Sequence, residues 1–448
     1  MTQKFHNLGE AEKFLLQLAS QANAPKMGGE FGLARTRKFL ELLGNPQEKL
    51  RVIHVAGTSG KGSTSALIAE LLKSHGVRVG LHLSPHILDV RERVQVDGEI
   101  LTEVNFCSYL EDLLPLIEEL EKTKFGMPTY FETLVVLAFY SFWKEKVEFA
   151  VMETGLGGLL DATNVVNRKN KICVLTRIGL DHTEILGKTY PEIAFQKAGI
   201  IHGGNLVVAL EQSPEVNQVF AQVAEKKGAD LQILVAKKHF LPLEASLEIG
   251  NSFDFEWKNV HLLKVQLGIY GDFQIENAAL ALATFCEVAN SNFVLNEVKI
   301  RDTLEHFSLP ARMQIVQVGK KRFMIDGAHN EQKMQAFLDS LVKLFPKRKF
   351  AFLLAFKRGK DFQAMTQCIM KVASHITLTT FFTLNQDMPH LSTSPELVAE
   401  FLEKEGFQDY EIVENPEEAL QKNLSRMEEM LIVTGSLYLA GEILKTLK

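Results

Sequence analysis

The stretch that most constrains this chain is HVAGTSGKGST, from His54 to Thr64, directly behind the apolar pair Val52-Ile53. A strand that ends in a glycine-rich turn and opens into a helix makes a phosphate cradle. Gly57, Gly60 and Gly62 let the backbone turn tightly and aim its N–H groups inward, with Thr58 and Ser59 between them. Lys61 can reach terminal phosphates, and Ser63 or Thr64 can face a magnesium ion. The following SALIAELLKSHG has the apolar spacing of a helix whose positive end would meet the phosphates. Gly62 separates the lysine from the hydroxyl pair, a departure from the common G-x-x-x-x-G-K-[ST]. The first substrate to expect is a nucleoside triphosphate.

With 448 residues, the chain is too long for one ordinary core and suggests two domains. Its net charge of -6 comes from 49 basic and 55 acidic residues that are well mixed. That pattern argues against nucleic acid and against a polybasic membrane anchor as partners. No apolar run approaches the roughly 18 residues of a membrane span, and Glu10, Glu12 and Lys13 interrupt the start where a signal peptide would be apolar. Cys107, Cys173, Cys286 and Cys368 are far apart and fit neither a metal spacing nor a disulfide framework. The expectation is a cytoplasmic, monomeric protein.

Short apolar runs alternate with helical patterns. Strands are expected at 51–55, 77–83, 148–152, 172–178 and 206–210, and helices at 63–75, 104–120, 131–143 and 215–227. Between about 230 and 272 short strands replace the alternation. The βα rhythm restarts after HFSLPA, at 306–311. The reading is an α/β protein: an ATP-binding domain over 1–308 and a smaller Rossmann-like domain over 309–448.

Several polar residues fall at strand exits, where α/β sheets carry ligands. Glu153 ends one strand and is placed as a magnesium ligand. Asp181 and His182 follow another, although imidazole is an unusual magnesium ligand. Asp161 and Asn164 either shape a pocket or satisfy a loop. Gln274 and Asn277 either bond a base edge or cap a helix. Asp326, Gly327, His329 and Asn330 close a strand in the second half, and Arg312 can carry positive charge across the cleft. Pattern alone makes Lys197, in IAFQKAGI, a solvated surface group.

Together these stretches resemble the Mur ligase superfamily, and within it the folylpolyglutamate synthase and dihydrofolate synthase family. The resemblance spans almost the whole chain: HVAGTSGKGST, LHLSPHILDVRERVQVDG, PTYFETLVVLAF, ETGLGGLLDATNV, RIGLDHTEILG, QKAGI, FQIENAALAL, LPARM, IDGAHN and TGSLYLAGEI. It implies an ATP-phosphate loop from Gly57 to Thr64, with Ser63, Ser84 and Glu153 at a first magnesium and His182 at a second. It implies a carbon-dioxide-derived carbamate on Lys197, and nucleotide contacts from Asn277, Arg312 and Asp326. His329 would lie near the incoming glutamate and γ-phosphate, with Tyr130, Phe131 and Asp161 on the pterin side. The chain departs from the family pattern at Ser59 for asparagine, Leu83 for threonine, Leu159 for arginine, and KRGKD around Gly359.

The implied reaction is ATP-dependent amide formation through an acyl phosphate, joining L-glutamate to dihydropteroate, to reduced folates, or to both. A cell-wall Mur ligase would carry an extra N-terminal domain for its UDP part, and a regulator without turnover would have lost Lys61, Glu153, His182 or Lys197.

Overall fold

The computed structural model describes residues 4–21, 29–243, 245–246, 250–289, 292–383, 389–426 and 430–447. An eight-stranded sheet organises the first two-thirds of the chain. Its order is Glu99–Ile100, Gln95–Val96, Val79–His82, Phe149–Glu153, Arg51–Ala56, Ile172–Leu175, Leu206–Leu210 and Asp230–Leu234. The last six run parallel, and the two short edge strands pair antiparallel.

The parallel strands are apolar throughout because both faces are covered. On one face Ile53, Val55, Val151, Val174 and Val208 pack under the helices Lys61–Ser74 and Asp272–Ala289. That core also takes in the three-stranded antiparallel sheet of Phe240–Pro242, Asn251–Trp257 and Val260–Leu267, within the stretch where short strands were expected to replace the alternation. On the other face Val52, Ala150 and Met152 meet the helices Leu8–Gln21, Gly29–Leu42, Glu103–Glu121 and Tyr130–Lys144. Further along that face, Cys173, Leu175, Val207 and Ala209 meet Tyr190–Ala198 and Pro214–Lys227. Inside the helical layer Arg35 pairs with Glu132 at 2.6 Å and 2.9 Å, both side chains buried. Glu132 also closes the capping box of Thr129 at the start of the helix Tyr130–Lys144.

The second sheet has the order Gln314–Val318, Lys321–Ile325, Met430–Thr434, Phe350–Leu354, Ala373–Leu378 and Tyr410–Ile412. Its first pair is antiparallel and the rest are parallel. Alternate residues again feed two cores, Met324, Phe352 and Ile432 on one face and Phe323, Leu353 and Val433 on the other. The α/β architecture with a second, smaller sheet is therefore as the alternation implied.

Local boundaries differ for identifiable reasons. The first helix of the phosphate loop begins at Lys61, two residues early, because Gly60 at φ 86 turns the chain directly into it. The strand read as 172–178 ends at Leu175, since Thr176 and Arg177 turn to bond the phosphate loop. In the second domain the helix Phe362–Met370 starts on Asp361, which caps the N–H of Ala364 at 3.0 Å.

The two sheets meet along several contacts. Asn330 donates to Asp181 at 3.2 Å and Lys360 reaches the same carboxylate at 2.7 Å. Gly179 leaves room for Gln332: a Cβ there would lie 1.9 Å from its Oε1. Gly441 does the same for the Ser84 loop, since a Cβ would lie 2.7 Å from the carbonyl of Ile87.

Candidate active site

The strand Arg51–Ala56 lies between Phe149–Glu153 and Ile172–Leu175, where the direction of winding across the sheet reverses. The crevice at the carboxyl ends of these strands is the ligand position of such sheets. All three deliver polar residues there.

The phosphate loop is pinned from below. The N–H groups of Thr58 and Ser59 donate to the carbonyl of Arg177 at 2.8 and 3.2 Å. Thr58 Oγ1 donates to the carbonyl of Gly179 at 3.0 Å, and Thr176 Oγ1 to that of Ser59 at 2.8 Å. Two glycines are sterically required. A Cβ at Gly57 would lie 1.8 Å from Thr176 Oγ1, and one at Gly60 would lie 2.0 Å from Asn277 Oδ1. Asn277 is thus packed onto the loop from the helix Asp272–Ala289, where it donates to Gln274 Oε1 at 2.9 Å. Neither residue caps that helix, since both are buried within it. Gly60→Ala should cost about 1–3 kcal/mol through the left-handed backbone and the clash together. A thermal melt together with nucleotide titration checks this, and an unchanged melting temperature and affinity would contradict it.

Glu153 closes the crevice. It is buried, and its Oε2 accepts the N–H of Ser84 at 2.8 Å. A Cβ at Gly62 would lie 3.6 Å from both its oxygens, so the carboxylate faces the loop beside buried Ser63. Burial raises the Glu153 pKa, against the opposing charges of Lys61, Arg312 and Arg93 and the Ser84 hydrogen bond. Arg312 acts in the same way on Asp326 of the second sheet, whose pKa burial also raises. Arg312 therefore bridges the two sheets electrostatically. The donors Glu153, Ser63 and Ser84 are all oxygen, which fits magnesium, a cation usually held by one or two carboxylates plus waters and substrate phosphates. Among the described residues no group of three or more His, Cys, Asp or Glu forms a cage by itself.

Lys197 is buried, with its Nζ donating to the carbonyl of Gly57 at 2.8 Å. Pattern alone made it a surface group, and the structure overturns that reading. Lys197 lies in the last turn of the helix Tyr190–Ala198, which is clamped by the loop after Glu153. A Cβ at Gly158 would lie 2.8 Å from the carbonyls of Gln196 and Lys197. Leu159 N–H donates to Gln196 at 2.7 Å, and Asn164 donates to Gly199 at 3.1 Å. Burial, then Lys61 and Lys333, lowers the Lys197 pKa to about 7.

Asp161 holds this same loop. One oxygen accepts the N–H and hydroxyl of Thr163 at 3.0 and 2.5 Å, and the other accepts the Leu156 N–H at 2.8 Å. His54 Nε2 reaches the Thr163 hydroxyl at 2.8 Å. Tyr130 is buried in the helical core, under the Arg93 guanidinium at 5.5 Å. Phe131 is half-buried beneath the loop, where a Cβ at Gly155 would lie 2.4 Å from its Cζ.

His182 occupies a left-handed residue at φ 52, exposed, with Asp181 at 3.9 Å and Glu184 at 3.7 Å. Both oxygens of Asp326 are taken by the N–H groups of Met313 at 2.9 Å and Ala328 at 2.8 Å. His329 is oriented by the Gly327 carbonyl at 2.7 Å and by Lys333 Nζ at 3.0 Å. Sequence reading missed Lys333. Its only signal is a position four residues after His329, on the first turn of the helix Glu331–Leu344.

This phosphate loop, a buried carboxylate beside it, and an arginine and histidine presented from a second sheet define an ATP-dependent ligase of the Mur type. Comparisons agree: residues 55–285 match the Mur ligase middle domain, and residues 311–446 match the dihydrofolate synthetase C-terminal domain. The chain is 32% identical over 429 residues to the dihydrofolate synthase/folylpolyglutamate synthase of Bacillus subtilis (strain 168), covering 94% of this chain and 96% of that one. It is 29% identical over 438 residues to the dihydrofolate synthetase of Saccharomyces cerevisiae, covering 94% and 98%. The folylpolyglutamate synthase of Mycobacterium tuberculosis, solved with ADP and AMPPCP, superposes with a TM-score of 0.84 at 25% identity, covering 97% and 99%. The chain belongs to the dihydrofolate synthase/folylpolyglutamate synthase family, whose activity is ATP-dependent ligation of glutamate to folate substrates.

Proposed function

We propose that this enzyme joins L-glutamate to dihydropteroate and also extends folyl-(poly)glutamates, with ATP as the activating substrate. The observation that carries the reading is the buried carboxylate of Glu153 facing the phosphate loop beside Ser63 and accepting the Ser84 N–H at 2.8 Å. The match of the C-terminal part to the dihydrofolate synthetase model supports the first of the two reactions.

In this reading the substrate carboxylate attacks the γ-phosphorus of ATP, the bond to the β,γ-bridging oxygen breaks, ADP leaves and an acyl phosphate forms. Lys61 and the inward N–H groups of Gly57–Thr64 neutralise the phosphoryl oxygens. Glu153, Ser63 and Ser84 would hold one magnesium ion, and His182 with carbamylated Lys197 a second. Bound magnesium supplies further neutralisation of phosphoryl charge. The glutamate amine, after losing a proton, attacks the acyl carbon, and phosphate leaves. Asn277 and Arg312 contact the nucleotide, and His329 faces the incoming glutamate. Asp326 acts indirectly, by fixing the turn that carries His329 and Arg312. Asp161 likewise acts through the loop it holds, and Tyr130 through the helix that presents Phe131 to the pterin side.

In this reading the hinge between the ATP-binding part, 1–308, and the C-terminal part, 309–448, lies in HFSLPA, residues 306–311. Closure there excludes water, which would hydrolyse the acyl phosphate. Among the described residues no helix is long and apolar enough to cross a membrane.

The test is phosphate release with ATP, magnesium and L-glutamate, supplied in turn with dihydropteroate and with tetrahydrofolate monoglutamate. Turnover of both is expected. Turnover of the folate alone would leave chain extension only, and turnover of dihydropteroate alone would leave first-glutamate addition only. Release that needs neither glutamate nor a folate would overturn the reading.

A further inference from the structure

Asp181 stands at the exit of the central strands, yet its carboxylate is claimed from the other sheet. Lys360 Nζ is 2.7 Å from Oδ1, Lys333 Nζ is 3.7 Å from Oδ2, and Asn330 Nδ2 is 3.2 Å from Oδ2. These side chains are only 11% exposed for Asp181, 19% for Lys360 and 22% for Lys333. Two ammonium groups thus share one carboxylate in a largely closed cleft. One positive charge is left over, and a charge away from water needs a partner.

The geometry around Lys333 shows where that partner belongs. His329 Nδ1 lies 2.7 Å from a carbonyl, which only accepts, so Nδ1 carries the proton and Nε2 is the acceptor. Lys333 donates to that Nε2 at 3.0 Å. Its distance to Asp181 is too long for a hydrogen bond and leaves an ion pair alone. Lys61, on the phosphate loop, and Arg312 are both near enough for their charges to act on Lys333.

We propose that Lys333 is a substrate-binding residue: with Lys360 it forms an oxyanion subsite on the second sheet, which Asp181 fills in this structure and a substrate oxyanion takes over. The inference rests on the ligase reading above, which supplies two sources of that chemistry. One is a carboxylate of the incoming amino acid, and the other is a phosphoryl oxygen of ATP. Either would meet Lys333 directly while His329 remains held in its tautomer by the same ammonium.

The test compares wild type with Lys333→Met, which keeps the aliphatic stem and removes the charge, and with Lys333→Arg, which restores a cation. Lys333→Gln is the substitute should the methionine variant lack the wild-type circular dichroism spectrum. Equilibrium titrations with L-glutamate and with a non-hydrolysable ATP analogue need no turnover, and steady-state KM values for both accompany them. A loss of about 10- to 100-fold in L-glutamate affinity, largely recovered by arginine, identifies the carboxylate as the occupant. The same loss for the analogue instead identifies the phosphoryl oxygen. Affinities for both ligands within about twofold of wild type, in a folded variant, overturn the subsite. Failure of the ligase reading is seen separately, as wild type that releases no phosphate with folate and glutamate.

Discussion

Lys61→Ala should lower the rate of amide formation by roughly 10³-fold or more at saturating ATP. The loop it leaves behind is held by Thr58, Thr176 and Arg177 through backbone and hydroxyl contacts that do not involve Lys61. The fold should therefore survive and the loss should fall on chemistry. Lys61 is also the first charge that opposes the raised pKa of buried Glu153. Its removal lets that pKa climb further, so the activity that remains should need a higher pH than wild type, because Glu153 must be ionised to hold a cation. Phosphate release measured across pH, with circular dichroism as the folding control, checks both parts. Turnover within a few-fold of wild type would remove Lys61 from the mechanism.

Lys197→Met should reduce turnover by about 10²-fold or more, the scale seen when a group that positions reacting charge is lost. Wild type should in addition respond to bicarbonate. A carbamate forms only on the neutral amine, and burial brings Lys197 to about 7. The neutral fraction rises as pH increases through that value. Stimulation by bicarbonate should therefore be greatest above pH 7 and fade below it, and the methionine variant should show none. Activity at pH 8 that is unchanged in carbon-dioxide-depleted buffer, together with crystallographic density for a plain ammonium, would refute the carbamate.

Much of the phosphate site was legible because its demands are local. A strand, a glycine turn and a helix with lysine and hydroxyls at its start are contiguous, and two of the three loop glycines each answer to one steric conflict, Gly57 with Thr176 and Gly60 with Asn277. The roles of Asp161 and Asp326 were less legible. An aspartate at a strand exit reads equally as a ligand contact or as a turn-holder. Here the carboxylates are occupied by the N–H groups of Leu156, Thr163, Met313 and Ala328. Lys333 carried almost no signal, since a lysine on the first turn of an amphipathic helix looks like any solvated residue.

What the sequence determined by itself is the kind of layers and the chemistry of the phosphate loop. Period-two and period-3.6 apolar patterns specify which faces must be buried, and the glycine spacing specifies one tight turn. Tertiary structure decided which distant groups share an environment. Lys197 is buried where the loop of Gly158 and Leu159 packs on its helix and the phosphate-loop carbonyl of Gly57 takes its ammonium. Asp181 meets Lys333 and Lys360 only because a second sheet docks against Gly179. Charge and pKa depend on distance and burial in three dimensions, and neither quantity is written in the order of residues along the chain.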